Sequence, residues 1–243
     1  MGQGTAIVTG GGKRVGRVIV DALLADGWTV VAHVRSDDDE VPSGAIKAVA
    51  DLSDARSAGT VLAASSGAPR LLVNNAARFV HDSLSAFSTE EFDAHMAINV
   101  RAPALLTAAF AEAAAKDGPA DRLVVNILDA KLAAPNPDFL SYTLSKAALA
   151  SLTELSARAL ARQGIRVNAI APALMLQSAG QSKDNFAVTH AHNPLDREIT
   201  PRDVVAAIRF LLDSPAMTGE VLTLDGGQRF LALPRDVQFL DLS

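Results

Sequence analysis

Short runs of apolar and β-branched residues alternate along the chain with stretches in which apolar side chains recur every three or four positions. Thr5-Ala6-Ile7-Val8-Thr9 is the first such run, and it stops at Gly10-Gly11-Gly12. A run of this kind ended by glycines reads as a strand and a tight turn. Behind it, Val15, Val18, Ile19, Ala22 and Leu23 share one helical face until Gly27, which predicts a helix over 14–25. The same reasoning predicts strands over 28–34, 46–50, 71–74, 123–127, 165–170 and 221–224. It predicts helices over 53–64, 89–99, 102–116, 141–163 and 201–212, with an irregular stretch over 172–199. Thr200-Pro201-Arg202-Asp203 is a clear helix start, with a hydroxyl cap, a proline at the first position and an acid two residues later.

Several strands are unbroken apolar runs, as burial on both faces requires. Alternating strands and helices with right-handed crossovers then give an α/β fold, an open, doubly wound parallel sheet. No repeat or low-complexity linker divides the 243 residues, so one domain over 1–243 is expected. The formal charge of -5 argues against a nucleic-acid footprint, and the absence of cysteine excludes disulfides and thiolate-bound zinc. Met1-Gly2-Gln3-Gly4 leads into the first strand without a basic leader, and no apolar run approaches the ~20 residues a membrane span needs. A soluble cytoplasmic protein acting on a small molecule is the expectation.

Two stretches carry candidate chemistry. Gly10 to Gly16, with Lys13, Arg14 and Val15 inside it, lies between the first strand and the first helix, where a dinucleotide pyrophosphate would rest on the helix N-terminus. A cation such as Arg14 in a first helical turn opposes the macrodipole, and a bound anion would reverse that cost. An NAD site carries an acid after the second strand; this chain has Arg35-Ser36, a guanidinium fork and a hydroxyl suited to a 2′-phosphate, so NADP(H) is expected. The acidic run Asp37 to Glu40 behind it reads as a solvated loop that opposes a phosphate. In the second stretch, Tyr142 and Lys146 are four residues apart on one helical face, with Asp129 at the mouth of the preceding strand. The ammonium is expected to favour the phenolate and lower the tyrosine pKa. Unrelated surface residues are the competing reading of this triplet.

With the glycine turn, Asp51-Leu52, Asn74-Asn75-Ala76, Asn99, Tyr142-x-x-x-Lys146 and Asp225-Gly226-Gly227 in order, the chain resembles the short-chain dehydrogenase/reductases over nearly its whole length. The resemblance implies a Rossmann-type sheet. It places Asp51 at the adenine amino group, Leu52 on the adenine ring, and Asn75, Ala76, Ala77 and Pro172 along the cofactor. Tyr142 becomes the proton donor, Lys146 holds the nicotinamide ribose, and Asn99 anchors a water relay. Three departures point one way: the middle glycine of the turn is replaced, Asp129 stands where a serine is usual, and Phe79 follows Arg78 just beyond the nicotinamide. Together they resemble the pteridine reductase branch. A pterin is a flat heteroaromatic, and Phe79 would stack on it opposite the nicotinamide, with Arg14, Asp129 and Tyr142 around it. The competing reading puts Phe79 in the core.

Residues 172–200 fall where this fold carries a substrate lid, and Ala173 departs from the usual Pro-Gly there. His190 and His192 lack a third ligand, so no metal is expected. The tail 228–243 contains Phe230, Leu231, Leu233, Phe239 and Leu240, which should pack on their own domain or on a neighbouring subunit. The family implies a homotetramer joined through the helices 102–116 and 141–163. The reading is an NADPH-dependent pterin reductase; a reductase of another carbonyl or imine compound and a non-enzymatic NADP-binding sensor are the alternatives.

Overall fold

The computed structural model describes residues 4–118, 120–178 and 180–240. The first three and last three residues, parts of the leader and tail readings, lie outside the described residues, as do Pro119 and Ala179. Seven strands form one parallel sheet: β1 (Thr5–Thr9), β2 (Thr29–Val34), β3 (Ile46–Val49), β4 (Leu71–Asn74), β5 (Arg122–Ile127), β6 (Ile165–Pro172) and β7 (Val221–Leu224). Their order is β3-β2-β1-β4-β5-β6-β7. The winding therefore reverses between β1 and β4, and a crevice opens there at the carboxyl ends of the strands.

The apolar runs are buried throughout β4, β5 and β6, as their sequences require. Helices α1 (Arg14–Ala25) and α7 (Pro201–Leu212) pack on one face of the sheet, with Ile19, Leu23, Val204 and Ile208 against Val8, Val30 and Val73. The opposite face receives α2 (Ser57–Ala63), α4 (Ala102–Asp117) and α5 (Leu140–Leu160), with Val61, Leu106, Phe110 and Ala157 against Ile7, Leu72 and Val124. The expected start of α7 holds: the Thr200 amide and hydroxyl both donate to Asp203, at 2.7 and 2.8 Å.

Three predicted elements change. The helix expected from residue 53 begins at Ser57. Asp51 accepts the Ser53 amide and Asp54 the Arg56 amide, local turns that compete with the helical ladder. The two helices expected over 89–116 are continuous: α3 (Thr89–Met96) passes through a π turn, Ala97–Arg101, into α4. Pro103 lacks the N–H that an α ladder would point at Asn99, and the wider turn accommodates this. The stretch expected to be irregular contains α6 (Lys183–Thr189), started by the Ser182 hydroxyl accepting the Asn185 amide.

Candidate active site

The turn after β1 is built for close approach. A Cβ on Gly16 would overlap the Gly10 carbonyl, so α1 lies directly against the turn. Lys13, at the N-cap of α1, makes no side-chain capping bond, and the first turn holds no acid. Its amides therefore face the crevice without a capping side chain, an arrangement that suits a pyrophosphate. Arg14 replaces the usual glycine at a backbone φ of 51°, which costs a non-glycine residue about 1–2 kcal/mol. Its guanidinium donates to the Gln177 carbonyl at 3.2 Å, reaching from the turn to the segment before α6, and Val15 lines the same cavity.

Arg35 and Ser36 are exposed just past β2. The Ser36 amide donates to Asp39 at 3.1 Å, so an acid is folded into this turn and only the serine hydroxyl remains to donate outward. Asp51 is exposed beyond β3, with its carboxyl held below the usual range mainly by the Ser53 amide. Leu52 differs from its expected place on a ring: it is 6% exposed and packs into the core with Ile7 and Val31. Asn75, Ala76 and Ala77 follow β4, and Pro172 ends β6. The Asn75 and Ala76 amides both donate to the Thr9 hydroxyl, at 2.9 and 3.0 Å, which fixes them against the glycine turn.

Asp129, Tyr142 and Lys146 meet as the sequence anticipated. The Tyr142 hydroxyl donates to Asp129 Oδ2 at 2.9 Å, and Asp129 Oδ1 accepts the Lys131 amide at 2.9 Å. Lys146 is buried and donates to the Ile127 carbonyl at 2.6 Å, with its Nζ 5.6 Å from the Tyr142 ring centre. The expected acidification of the phenol is reversed. Burial raises the Tyr142 pKa well above that of free tyrosine, and the facing Asp129 carboxyl raises it further. Burial also raises the Asp129 pKa and lowers that of Lys146 to about 8. The four-residue spacing reports the cation's proximity and carries nothing about the loss of water. The phenol thus holds its proton and can give it to a group in the cavity, while Asp129 binds a proton more readily than a surface carboxyl.

Asn99, in the π turn, commits its amide to the chain around it: Oδ1 accepts the Arg78 amide at 2.7 Å, and Nδ2 donates to the Arg78 carbonyl and the Ser145 hydroxyl. A water at this position would have to meet its backbone carbonyl. Phe79 is 39% exposed, so it is not a core residue. It stacks on Phe139 (centroids 4.3 Å apart, planes at 17°) and meets Tyr142 edge-on at 4.7 Å. Arg14, Val15, Phe79, Asp129 and Tyr142 line one cavity of about 210 Å3. His190 is occupied within its own segment, bonded to the Ile199 carbonyl at 2.9 Å and stacked on Phe186.

Two positioning residues carried no signal in the sequence. Asp82 is buried and accepts the Ser141 amide at 3.0 Å and the Ser141 hydroxyl, which caps the start of the helix bearing Tyr142. His33 on β2 accepts the Gly10 amide at Nδ1, at 3.2 Å; its proton is therefore on Nε2, which donates to the Ala50 carbonyl at 2.9 Å. Burial lowers its pKa and favours this neutral form, which joins the glycine turn to the end of β3.

A family model described as enoyl-(acyl carrier protein) reductase, one of those for the short-chain dehydrogenase/reductases, matches residues 12–229. L-xylulose reductase of Mesocricetus auratus is 34% identical, covering 91% of this chain and 95% of its own. Dihydromonapterin reductase of Enterobacter sp. (strain 638) is 30% identical, covering 93% and 97%. Among solved structures, FolM alternative dihydrofolate reductase 1 from Brucella canis, complexed with NADP, superposes with a TM-score of 0.84 at 33% identity over 94% of each chain. The parallel sheet, the uncapped glycine turn and the Tyr142–Lys146 pair agree with these likenesses, and the chain belongs to the short-chain dehydrogenase/reductase family of oxidoreductases.

Proposed function

We propose that this protein is an NADPH-dependent reductase of a pterin-type substrate, taking a dihydropterin or dihydrofolate to the tetrahydro form. The observation that carries the reading is the hydrogen bond from Tyr142 to Asp129, which opens onto a cavity shared with Phe79 and Arg14. NADPH supplies the hydride when bound. The glycine turn and the amides of α1 would hold its pyrophosphate, Arg35 and the Ser36 hydroxyl its 2′-phosphate, Asp51 its adenine, and Lys146 its nicotinamide ribose. Tyr142 gives a proton to the ring nitrogen beside the carbon that receives hydride. Asp129, in its protonated form, returns one to the phenolate, and the net proton comes from solvent. The exposed face of Phe79 supplies a stacking surface. The cavity of about 210 Å3 is of a size for the planar ring alone, since drug-sized pockets begin near ~300 Å3, so the tail of a dihydrofolate would lie outside it.

A reductase of another carbonyl compound is the second reading, favoured by the likeness to L-xylulose reductase. The exposed face of Phe79 beside Tyr142 speaks against it, because a ketose offers no aromatic face to stack there. Following NADPH oxidation with dihydromonapterin, dihydrobiopterin and dihydrofolate against a panel of ketones and ketoses separates the two. Turnover confined to the ketones would exclude the pterin reading.

Arg35→Ala should weaken NADPH binding roughly ten- to a hundred-fold, the contribution of a charged hydrogen-bonded pair, and leave NADH binding nearly unchanged. Tighter binding of NADH than of NADPH by the unsubstituted protein would overturn the cofactor assignment. The same reading has the enzyme in the cytoplasm as a homotetramer, with exposed Leu144 and Leu155 of α5 at the helix-to-helix contact. A single-chain mass on gel filtration would exclude that assembly. Among the described residues, no helix is long and apolar enough to cross a membrane.

A further inference from the structure

The loop that carries Asp129 is tied to the far end of the chain. Asp138, 5% exposed, receives Arg235 in a two-point ion pair, Nε to Oδ2 at 2.7 Å and Nη2 to Oδ1 at 2.8 Å. It also accepts the Asp236 amide at 2.8 Å. Lys131 Nζ donates to the Asp138 carbonyl at 2.5 Å and lies 3.4 Å from Asp236 Oδ2. Phe239 continues the attachment, lying over Phe139 (5.9 Å, 19°) and against His81 (5.1 Å). From α6, Asn185 Nδ2 reaches the Leu240 carbonyl at 3.3 Å. The tail is therefore fastened both to the loop of Asp129 and to α6.

This fastening brings a second carboxyl group to the cavity. Leu233, Arg235, Asp236 and Val237 line it together with Phe79, Asp129 and Tyr142. Asp236 Oδ1 accepts the Gln238 amide at 3.2 Å and Oδ2 faces Lys131, which leaves lone pairs on both oxygens. The carboxyl is close enough to Asp129 and Tyr142 for its charge to raise both their pKa values.

We propose that Asp236 is a substrate-binding residue whose carboxylate accepts N–H groups from the edge of the substrate ring, held at the cavity by the Asp138–Arg235 clamp. The proposal rests on the reading of a planar, N–H-bearing substrate given above and deepens it. An ionised carboxylate accepts hydrogen bonds and cannot donate them. An aminopyrimidine edge offers several N–H donors, whereas a ketone oxygen offers none and would be repelled. The wall contributed by the tail would thus select the class of ring and add a contact remote from the reacting carbon.

Steady-state kinetics of the full-length protein with NADPH and dihydrobiopterin tests this on Asp236→Asn, Arg235→Ala and Arg235→Lys. Asp236→Asn should raise KM by about tenfold, the size of a charge-assisted hydrogen bond lost, with kcat within about two-fold. NADPH affinity and the thermal midpoint should be unchanged. Arg235→Ala should also raise KM, and Arg235→Lys should restore part of the loss. If the unsubstituted protein reduces dihydrobiopterin and Asp236→Asn keeps the same KM, the inference is wrong and the pterin reading stands. If the unsubstituted protein neither binds nor reduces any dihydropterin, both fall together.

Discussion

Tyr142→Phe is expected to lower kcat for dihydropterin reduction by roughly a hundred- to ten-thousand-fold, the usual contribution of a positioned general acid. The substitution keeps the ring, and with it the edge-on contact to Phe79, but removes the hydroxyl that bonds Asp129. NADPH binding should stay within about two-fold, because Lys146 is held by the Ile127 carbonyl rather than by the phenol. Asp129→Ala should produce a comparable loss for a different reason. It removes the acceptor that orients the phenol and the group that restores its proton, and it opens space beside a buried hydroxyl. Single-turnover measurement of NADPH oxidation, with cofactor binding titrated separately, reads both effects. Near-normal turnover in either variant would remove the proton-transfer pair from the mechanism.

The second large effect concerns stability of the cofactor-free protein. Burial lowers the Lys146 pKa from an ordinary 10.5 to about 8. Below pH 8 the ammonium is charged in both folded and unfolded chains, and the folded state bears the cost of burying it. Between about pH 8 and 10.5 the folded protein has released the proton while the unfolded chain still holds it. This group therefore makes stability rise with pH through that window, by on the order of 3 kcal/mol. Lys146→Met should remove the rise, so that the variant gains most over the parent at pH 7 and the difference shrinks toward pH 10. Urea unfolding of both proteins at several pH values measures it. A difference that does not change between pH 7 and 10 would mean that the lysine is not desolvated as its burial implies. The Asp129 carboxyl acts with the opposite sign at the acid end: its pKa is raised, so its contribution falls as pH rises through the folded value.

What was legible in the sequence follows from local patterns. Parallel strands buried on both faces carry their burial in consecutive residues, so β1, β4 and β5 could be placed to within a residue or so. Tyr142 and Lys146 were legible as a pair because four residues bring two side chains to one helical face. The glycine turn was legible because only glycine tolerates a neighbouring backbone as close as the one that faces Gly16. Arg14 is legible in the sequence as a departure from the turn's glycines, but its left-handed conformation and its reach to Gln177 belong to the folded chain.

The tertiary structure alone decided the contacts between residues far apart in sequence and the electrostatics that burial produces. Asp82 caps the helix of Tyr142 from 59 residues away, and Arg235 reaches Asp138 across 97, pairings that leave no periodic trace. His33 reads in sequence as one more residue of a strand, and only its two ring bonds reveal that it joins the glycine turn to β3. The direction of the Tyr142 shift is the sharpest case. Spacing reports how near a cation can come, but desolvation depends on everything packed around the pair, and in this fold burial and the facing Asp129 carboxyl raise the phenol's pKa.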